Sequence, residues 1–298
     1  MKKISFVLVC LLLVQAPGLW ASQQKPLDVP YVPTKYPIVD EMLKMARVEK
    51  GDVLYDLGCG DGRIVIAATQ KFGARSVGID IDPERIQESR ENAAKAGVES
   101  LVRFIEQDLF QADIHEANVV SLYLLTSVNL RLRPKLLREL RPGTRLVSHN
   151  YGMDEWKPDQ SAVVKVDDIP HDVYFWIVPA NASGTWTWTM GKPAAKWEMH
   201  LEQHFQRLSG QAAVDGASLP LKEVKLNGDR IRIVLEHADK GDITELVLEG
   251  KVEGHSLGGT IKSRSAGKEF AVDWKAVRNP ATEKPIDAET GKNQFSVH

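Results

Sequence analysis

The sequence predicts an α/β part, with a parallel sheet wrapped by helices, followed by a smaller all-β domain that is either a barrel or a sandwich. Between residues 52 and 149, short apolar runs alternate with helical patterns, which is typical of a parallel sheet covered by helices. Between residues 184 and 278, apolar and polar residues alternate with period two, and turn sequences such as Asn227-Gly228-Asp229 separate the runs. These two patterns set the fold class.

The elements of the first part follow in a regular order. A helix is expected where residues 38–48 place apolar side chains at helical spacing. Asp82 and Pro83 are suited to begin a helix, and Gly97 to end it. The predicted strands are 52–57, 76–80, 102–106, 118–125 and 144–149, with helices at 61–72, 83–96 and 134–140 between them. Two further apolar runs, at 162–166 and 172–178, are expected to close the sheet.

The composition is that of a folded, globular chain. Its 298 residues are 43% hydrophobic and 26% charged, and this length suffices for two domains. The same values exclude a disordered or fibrous protein. The formal net charge of -2 does not indicate a nucleic-acid partner.

The first 21 residues have the pattern of a secretory signal peptide. Lys2 and Lys3 precede an apolar run at residues 4–14, and small residues follow near Ala21. This run is too short to cross a hydrocarbon core, which needs about 20 residues, so a cleaved signal is favoured over a permanent membrane anchor. We expect cleavage after Ala21 and export to the periplasm or envelope, with a cytoplasmic location if the signal is not used.

The domain boundaries expected from these patterns are a signal peptide at 1–21, a first domain at 22–181, an all-β domain at 182–280 and a flexible tail at 281–298. Loss of the signal would remove two of the 38 basic residues and none of the 40 acidic ones, which changes the net charge from -2 to -4. It would also remove Cys10, so the mature chain would keep only Cys59 and form no internal disulfide.

A glycine-rich turn at residues 54–62, LYDLGCGDG, carries the first functional signal. A predicted strand ends at Asp56, and three glycines follow before a helix begins, so backbone can approach a ligand closely. Asp80 and Asp108 end or follow the next two strands. Because the carboxyl ends of parallel strands meet at one edge of a sheet, we expect these three acids to lie in one ligand site. The alternative is a glycine turn that serves packing alone.

The three segments that carry these glycines and acids resemble the cofactor motifs of class I S-adenosylmethionine-dependent methyltransferases, which have a Rossmann-like sheet. They are DLGCGDG, VGIDID and EQDLF. Segments 30–43, 121–140, 142–150 and 154–159 resemble a narrower family of small lysine N-methyltransferases. That family includes the mitochondrial enzymes acting on ATP synthase c-subunit and adenine nucleotide translocase, and their bacterial relatives. The resemblance does not cover the all-β domain.

The resemblance implies S-adenosyl-L-methionine as cofactor. Its methionine end would be held by Asp56, Gly58 and Gly60, its ribose by Asp80, and its adenine by Asp108 and Leu109. It also implies in-line methyl transfer to a lysine of a protein substrate. No nucleic-acid partner is expected, association with a membrane is expected only through the substrate, and the oligomeric state is left open.

Two other functions remain open at this point. One is methylation of a small-molecule acceptor, which the same motifs would serve. The other is an exported binding protein, in which the β domain carries the function and the methyltransferase fold binds cofactor without turnover.

Five residues are candidates to line the methyl-transfer site. Tyr123, His149 and Asn150 stand at predicted strand ends. Tyr31 and Thr34 lie on a proline-rich arm, residues 23–37, that can fold over that edge as a lid. Tyr123 could equally be a core residue and His149 a structural histidine, so none is assigned as the general base.

Two histidines in the all-β part, His200 and His204, lie four residues apart. The alternating sequence around them predicts a strand that places both on one solvated face, and no third ligand stands near them in the sequence. No metal is therefore expected.

Overall fold

The structure is a computed structural model that describes residues 29–191, 193–239, 242–265 and 268–287. In chain order the first part consists of α1 (Tyr36–Met45), β1 (Val53–Leu57), α2 (Arg63–Phe72), β2 (Arg75–Asp80), α3 (Pro83–Ala96), β3 (Val102–Glu106), β4 (Val119–Leu122), α4 (Thr126–Glu139), β5 (Arg145–His149), β6 (Gln160–Val166) and β7 (Ile169–Ile177). The predicted alternation of strands and helices is confirmed.

These seven strands form one sheet in the order β3-β2-β1-β4-β5-β7-β6. The first five are parallel, while β7 pairs antiparallel with both β5 and β6. The two apolar runs expected to close the sheet are therefore β6 and β7. The strand order reverses between β1 and β4, and in open α/β sheets the ligand crevice lies at that reversal, beyond the carboxyl ends of the strands.

Two apolar clusters cover the two faces of this sheet. One packs α1 and α2 onto the face that carries Leu54 and Val147. The other packs α4 onto the opposite face, which carries Leu146 and Leu57. These lie one and three residues from Val147 and Leu54, and successive strand residues point to opposite sides. Both layers fix where the strand ends lie.

The helix predicted at 134–140 begins earlier, at Thr126, and holds Pro134 in its interior. Proline usually marks a helix start because it lacks the amide hydrogen of an interior turn. Here Val128, Leu132 and Leu136 recur every four residues and are buried on one face of the helix. Their burial outweighs the one missing hydrogen bond, so the prediction was wrong about the start of the helix.

The second part is a single antiparallel sheet of nine strands in the order β11-β10-β9-β8-β16-β15-β14-β13-β12. The strands are β8 (Gly184–Met190), β9 (Ala195–His204), β10 (Arg207–Val214), β11 (Ala217–Leu219), β12 (Leu221–Asn227), β13 (Arg230–Asp239), β14 (Asp242–Glu253), β15 (Ser256–Ser265) and β16 (Lys268–Arg278). The two ends of the sheet approach each other, so it is a nearly closed barrel around an apolar interior. The expected barrel or sandwich is thus barrel-like.

The turn between β9 and β10 joins the barrel to the first part. Phe205 at this turn is 2% exposed and lies in the apolar cluster beneath α4. Its ring stacks on Trp156 with 5.8 Å between centroids, and the Arg133 guanidinium lies 5.1 Å from the ring centroid. Gln206 donates a 2.7 Å hydrogen bond to the Lys157 carbonyl. The barrel therefore packs against the segment that follows β5.

Replacing Phe205 with alanine should destabilise the protein by about 3–5 kcal/mol, because a buried aromatic side chain is lost and a cavity remains. Phe270→Ala removes the same atoms from a side chain that is 55% exposed and should change stability by less than about 0.5 kcal/mol. Denaturant unfolding followed by tryptophan fluorescence measures both. Equal losses in the two variants would contradict the role given to Phe205.

Residues 281–287, expected to begin a flexible tail, instead pack along the start of β8. A short 3-10 helix at Pro280–Thr282 leads to Glu283, which lies 3.0 Å from the guanidinium of Arg278. The Ile286 carbonyl accepts a 2.9 Å hydrogen bond from the Phe205 amide. The polar composition of this stretch predicted a flexible tail, but its polar groups are hydrogen-bonded to the rest of the protein. The tail prediction was therefore wrong for residues 281–287.

The remaining tail residues, 288–298, and the expected signal peptide at 1–21 lie outside the described residues. Within the described part of the chain, no helix is both long and apolar enough to cross a membrane.

Candidate active site

The glycine-rich turn joins the end of β1 to the start of α2. Gly58, Gly60 and Gly62 all have left-handed backbone, with φ of 85°, 53° and 78°. The amides of Gly58 and Cys59 both donate to the Ile79 carbonyl of β2, which pins the turn to the neighbouring strand. A Cβ atom added to Gly60 would lie 2.5 Å from the ring of Tyr31. Both the backbone angle and this close approach require glycine there.

The three strand-end acids line one pocket, as the strand order predicts. Asp80 uses one carboxylate oxygen to accept from the Gly60 amide at 2.8 Å and the other to accept from the Asp82 amide at 3.0 Å. Asp108 accepts from the Phe110 amide at 3.0 Å. Each acid thus also orders the turn in which it stands. The pocket encloses about 1190 Å³ including its open mouth.

Asp56 differs from the other two acids in its burial. It is 2% exposed, and the Ser121 hydroxyl donates a 2.7 Å hydrogen bond to it. Burial raises its pKa to about 7, while the hydrogen bond from Ser121 acts in the opposite direction and the charge of Asp80 raises it further. A buried carboxylate that faces a pocket is suited to a cationic partner, because such a partner would recover the free energy lost on desolvation.

These features fit S-adenosylmethionine. Gly58 and Gly60 of the turn line the pocket, Asp56 faces it where the ammonium group of a methionine end would lie, and Asp80 keeps lone pairs for ribose hydroxyls. Asp108 and Leu109 line the same pocket near the end of β3. The sheet order and this site define a class I S-adenosylmethionine-dependent methyltransferase.

Comparison with known proteins identifies the family within this class of methyltransferases. A family model described as the ANTKMT methyltransferase domain matches residues 56–160. A protein-lysine N-methyltransferase of Saccharolobus islandicus (strain REY15A) is 46% identical over 153 residues, which make up 50% of this chain and 94% of that relative. The chain therefore belongs to the protein-lysine N-methyltransferase family and is a methyltransferase that uses S-adenosylmethionine. The family model ends before the barrel begins.

Further relatives are matched over a smaller share of their length. The mouse adenine nucleotide translocase lysine N-methyltransferase is 35% identical over a stretch that covers 44% of this chain and 57% of that protein. A crystal structure of an RNA methyltransferase from Salinibacter ruber with S-adenosyl-L-homocysteine has 54% identity, covering 49% of this chain and 94% of that chain, with a TM-score of 0.47.

The described part of the proline-rich arm, from residue 29 onward, lies over the glycine turn through Tyr31. The Thr34 carbonyl accepts a 2.9 Å hydrogen bond from Arg63, whose guanidinium also pairs with Asp61 at 2.6 Å. The Arg85 guanidinium lies 4.8 Å from the centroid of the Tyr31 ring. Tyr31 and Thr34, the two predicted arm residues, both line the pocket. At the far end of the arm, Lys35 pairs with Asp167 of the β6–β7 turn at 2.6 Å.

The strand-end candidates divide into two groups. Tyr123 lines the pocket and stacks on His149 with 3.9 Å between ring centroids. His149 lies behind Tyr123, outside the pocket lining, and is 1% exposed. Its burial, and to a smaller extent the neighbouring His171, lowers its pKa to about 4. Asn150 also lies outside the pocket lining, and its side-chain oxygen accepts a hydrogen bond from the Asp172 amide at 2.9 Å. Of these three, Tyr123 is the one that can contact a ligand directly in this arrangement.

Two residues of this region were not predicted from the sequence. Tyr151 lines the pocket, 6.1 Å from Tyr123 between ring centroids, and Asn129 and Ser148 hold its carbonyl. His171 contacts His149 from β7. The only sequence signal for His171 was its place beside an apolar run expected to pair within the sheet.

Asp80→Ala should weaken S-adenosylmethionine binding at least about tenfold. The variant loses a carboxylate that can accept ribose hydroxyls, and it also frees the Gly60 amide, which together cost about 1.5–3 kcal/mol. Calorimetric titration of the purified protein measures the change. Asp113→Ala is the control, because Asp113 is an exposed acid bonded to His115, away from the pocket lining. Unchanged affinity in Asp80→Ala would contradict the ribose assignment.

Proposed function

We propose that this chain methylates the side-chain amine of a lysine in a protein, using the pocket at the carboxyl edge of the first sheet. The observation that carries the proposal is a wall of the pocket formed by Tyr123 and Tyr151 together with Thr34 of the folded arm. Aromatic faces attract an alkylammonium group such as the end of a lysine side chain. Family membership supports the same substrate class.

The chain's residues would act mainly by positioning and by excluding water. When bound, the cofactor supplies a methyl group on a positively charged sulfur, which a neutral amine can accept in line. Tyr31 and Thr34 cover the pocket, and removal from water lowers the pKa of an amine because it penalises the charged form. Holding two reactants in line lowers the activation barrier by up to about 7–11 kcal/mol in well-oriented systems.

The test uses heat-treated envelope proteins as acceptor and cofactor labelled in its methyl group. The proposal expects label on lysine after acid hydrolysis, and much less with Asp80→Ala protein. Label found only in small molecules, in RNA or on other amino acids would overturn it. An outcome in small molecules would favour the alternative acceptor class, whereas binding without any label would favour the exported binding protein.

Export is proposed on the sequence pattern alone. Because Lys2 and Lys3 precede the apolar run at residues 4–14, we expect the mature chain to begin near Ser22 outside the cytoplasm. Cell fractionation with N-terminal sequencing checks this expectation. A cytoplasmic chain that begins at Met1 would contradict it and would place the enzyme where S-adenosylmethionine is made.

A further inference from the structure

A row of three polar side chains leads from the pocket to strand β7. Thr34 is 3% exposed and lines the pocket, and its hydroxyl oxygen lies 3.1 Å from Nδ1 of His149. Nε2 of His149 lies 3.0 Å from Nδ1 of His171 on β7. His149 is 1% exposed, so both of its ring nitrogens face protein groups. The row thus joins the pocket wall to His171 beyond it, whose other ring nitrogen, Nε2, is buried and has no hydrogen-bond partner among the described residues.

The direction of hydrogen bonding along this row follows from Asn150. Its side-chain oxygen accepts from the Asp172 amide, so its NH2 group is the one that faces Nδ1 of His171, at 3.4 Å. Nδ1 of His171 is therefore an acceptor. His149 must then donate from Nε2 and accept at Nδ1, since a neutral imidazole has one donor and one acceptor nitrogen. The Thr34 hydroxyl in turn donates to His149, which leaves the hydroxyl oxygen free to accept from the pocket.

A lysine that accepts a methyl group must first lose a proton. In water its side chain is an ammonium group, which has no lone pair to react. The ionisable groups that line the pocket include Tyr123, Tyr151 and Asp56. Burial raises the pKa of the Tyr123 phenol, so it stays protonated, and Asp56 lies at the end of β1, where the cofactor's methionine end is expected. Thr34 is a further polar group there, and it leads into the histidine row.

The charged groups around the two histidines do not compete for this proton. Lys35 on the arm pairs with Asp167, and Asp172 hydrogen-bonds to Tyr174. Among the described residues, no carboxylate accepts from either imidazole ring. A proton that arrives at His149 therefore has one partner, His171, to which it can pass.

We propose that His171 holds the proton of the substrate lysine while methyl transfer takes place, and that Thr34 and His149 conduct it there. The inference rests on the proposed lysine methylation. An ammonium N–H bond breaks, its proton binds the Thr34 oxygen, and the hydroxyl's own proton passes to Nδ1 of His149. The Nε2 proton of His149 then binds Nδ1 of His171, which becomes an imidazolium, and the amine keeps the electron pair. The proton returns along the same row to water when the product leaves.

His171→Asn removes the end of the row and leaves the cofactor side of the pocket intact. We expect cofactor affinity within about twofold of the unchanged protein and lysine labelling of heat-treated envelope proteins about tenfold slower or more near pH 7. The deficit should shrink as the pH rises toward 9, because more of the lysine then arrives neutral. If His171 had a purely structural role, its substitution would lower the rate by the same factor at every pH. That result would overturn the inference.

His200→Asn is the matched control. Nδ1 of His200 lies 3.1 Å from the Thr185 hydroxyl, the same type of contact as between His149 and Thr34, but in the barrel. Its substitution should change neither the rate nor the pH profile. If the unchanged protein labels no lysine at any pH, the proposed function fails and the inference fails with it. If it labels lysine, but its pH profile and that of the His171→Asn protein are parallel, only the inference fails.

A second readout does not depend on turnover. Long-range 1H–15N NMR of the cofactor-free protein should identify His149 as the tautomer protonated at Nε2, because His171 and Asn150 dictate that arrangement. His171→Asn should perturb the His149 nitrogen signals, and His200→Asn should leave them unchanged. A His149 protonated at Nδ1 would overturn the inference, since Thr34 could then not pass a proton to it.

Discussion

A variant that lacks residues 29–33 is expected to lose methyl transfer by about 100-fold or more while binding S-adenosylmethionine within a few fold of the full chain. The arm covers the pocket through Tyr31, whose ring lies on Gly60, and its loss opens the methyl-transfer site to water. The cofactor side should survive, because the glycine turn is held by the Ile79 carbonyl and by Asp80, neither of which belongs to the arm. Such a pattern indicates loss of an interaction needed in the transition state.

Single substitutions separate the covering ring from its polar contacts. Tyr31→Phe keeps the ring over Gly60 and should retain most of the activity, whereas Tyr31→Ala should approach the deletion. Single-turnover kinetics with labelled cofactor, together with calorimetric affinity, measure the two effects. Full activity in the deletion, or equal losses of affinity and turnover, would contradict the role of the arm as a lid.

The placement of the glycine turn and of the strand-end acids could be predicted from the sequence because local chemistry dictates it. Gly58 and Gly60 adopt left-handed backbone, which glycine tolerates and most other residues do not. Asp80 ends a strand parallel to the one that carries Asp56, so both reach the same edge of the sheet. Strand periodicity and a turn motif are enough to derive this arrangement.

The substrate side depends on contacts between segments far apart in the chain. His171 meets His149 only because β7 runs antiparallel to β5 with Val173 opposite His149, a register that no local pattern in the sequence defines. Phe205 is similar: its burial depends on how the barrel packs on Trp156. The start of α4 was missed for the same reason, since tertiary burial of Val128 outweighed the signal from Pro134.

Asp56→Asn is expected to have opposite effects on stability and on cofactor binding. The pKa of Asp56 in the folded chain, about 7, lies above its ordinary value of 3.8, so the folded state binds this proton more tightly than the unfolded state. Stability of the cofactor-free protein therefore falls as the pH rises from about 4 to 7, and the full cost, up to about 4 kcal/mol, applies above pH 7. Asparagine does not ionise and its oxygen can still accept from Ser121, so the variant should be more stable at pH 8 and unchanged near pH 4.

Cofactor affinity should move the other way. In the unchanged protein it should rise with pH through about 7, as the buried carboxylate that faces the ammonium group becomes charged, and Asp56→Asn should bind about 100-fold more weakly at pH 8. Asp52→Asn is the matched control: Asp52 is also buried, but it pairs with Arg145 at 2.5 Å, so its neutralisation should lower stability and leave the pocket unchanged. Thermal unfolding at pH 4 and pH 8, with calorimetric titration at pH 6 and pH 8, measures all of these effects. An Asp56→Asn protein that is less stable at pH 8, or that binds S-adenosylmethionine with unchanged affinity, would contradict the assignment of Asp56 as a carboxylate kept buried, at a cost in stability, for a cationic ligand.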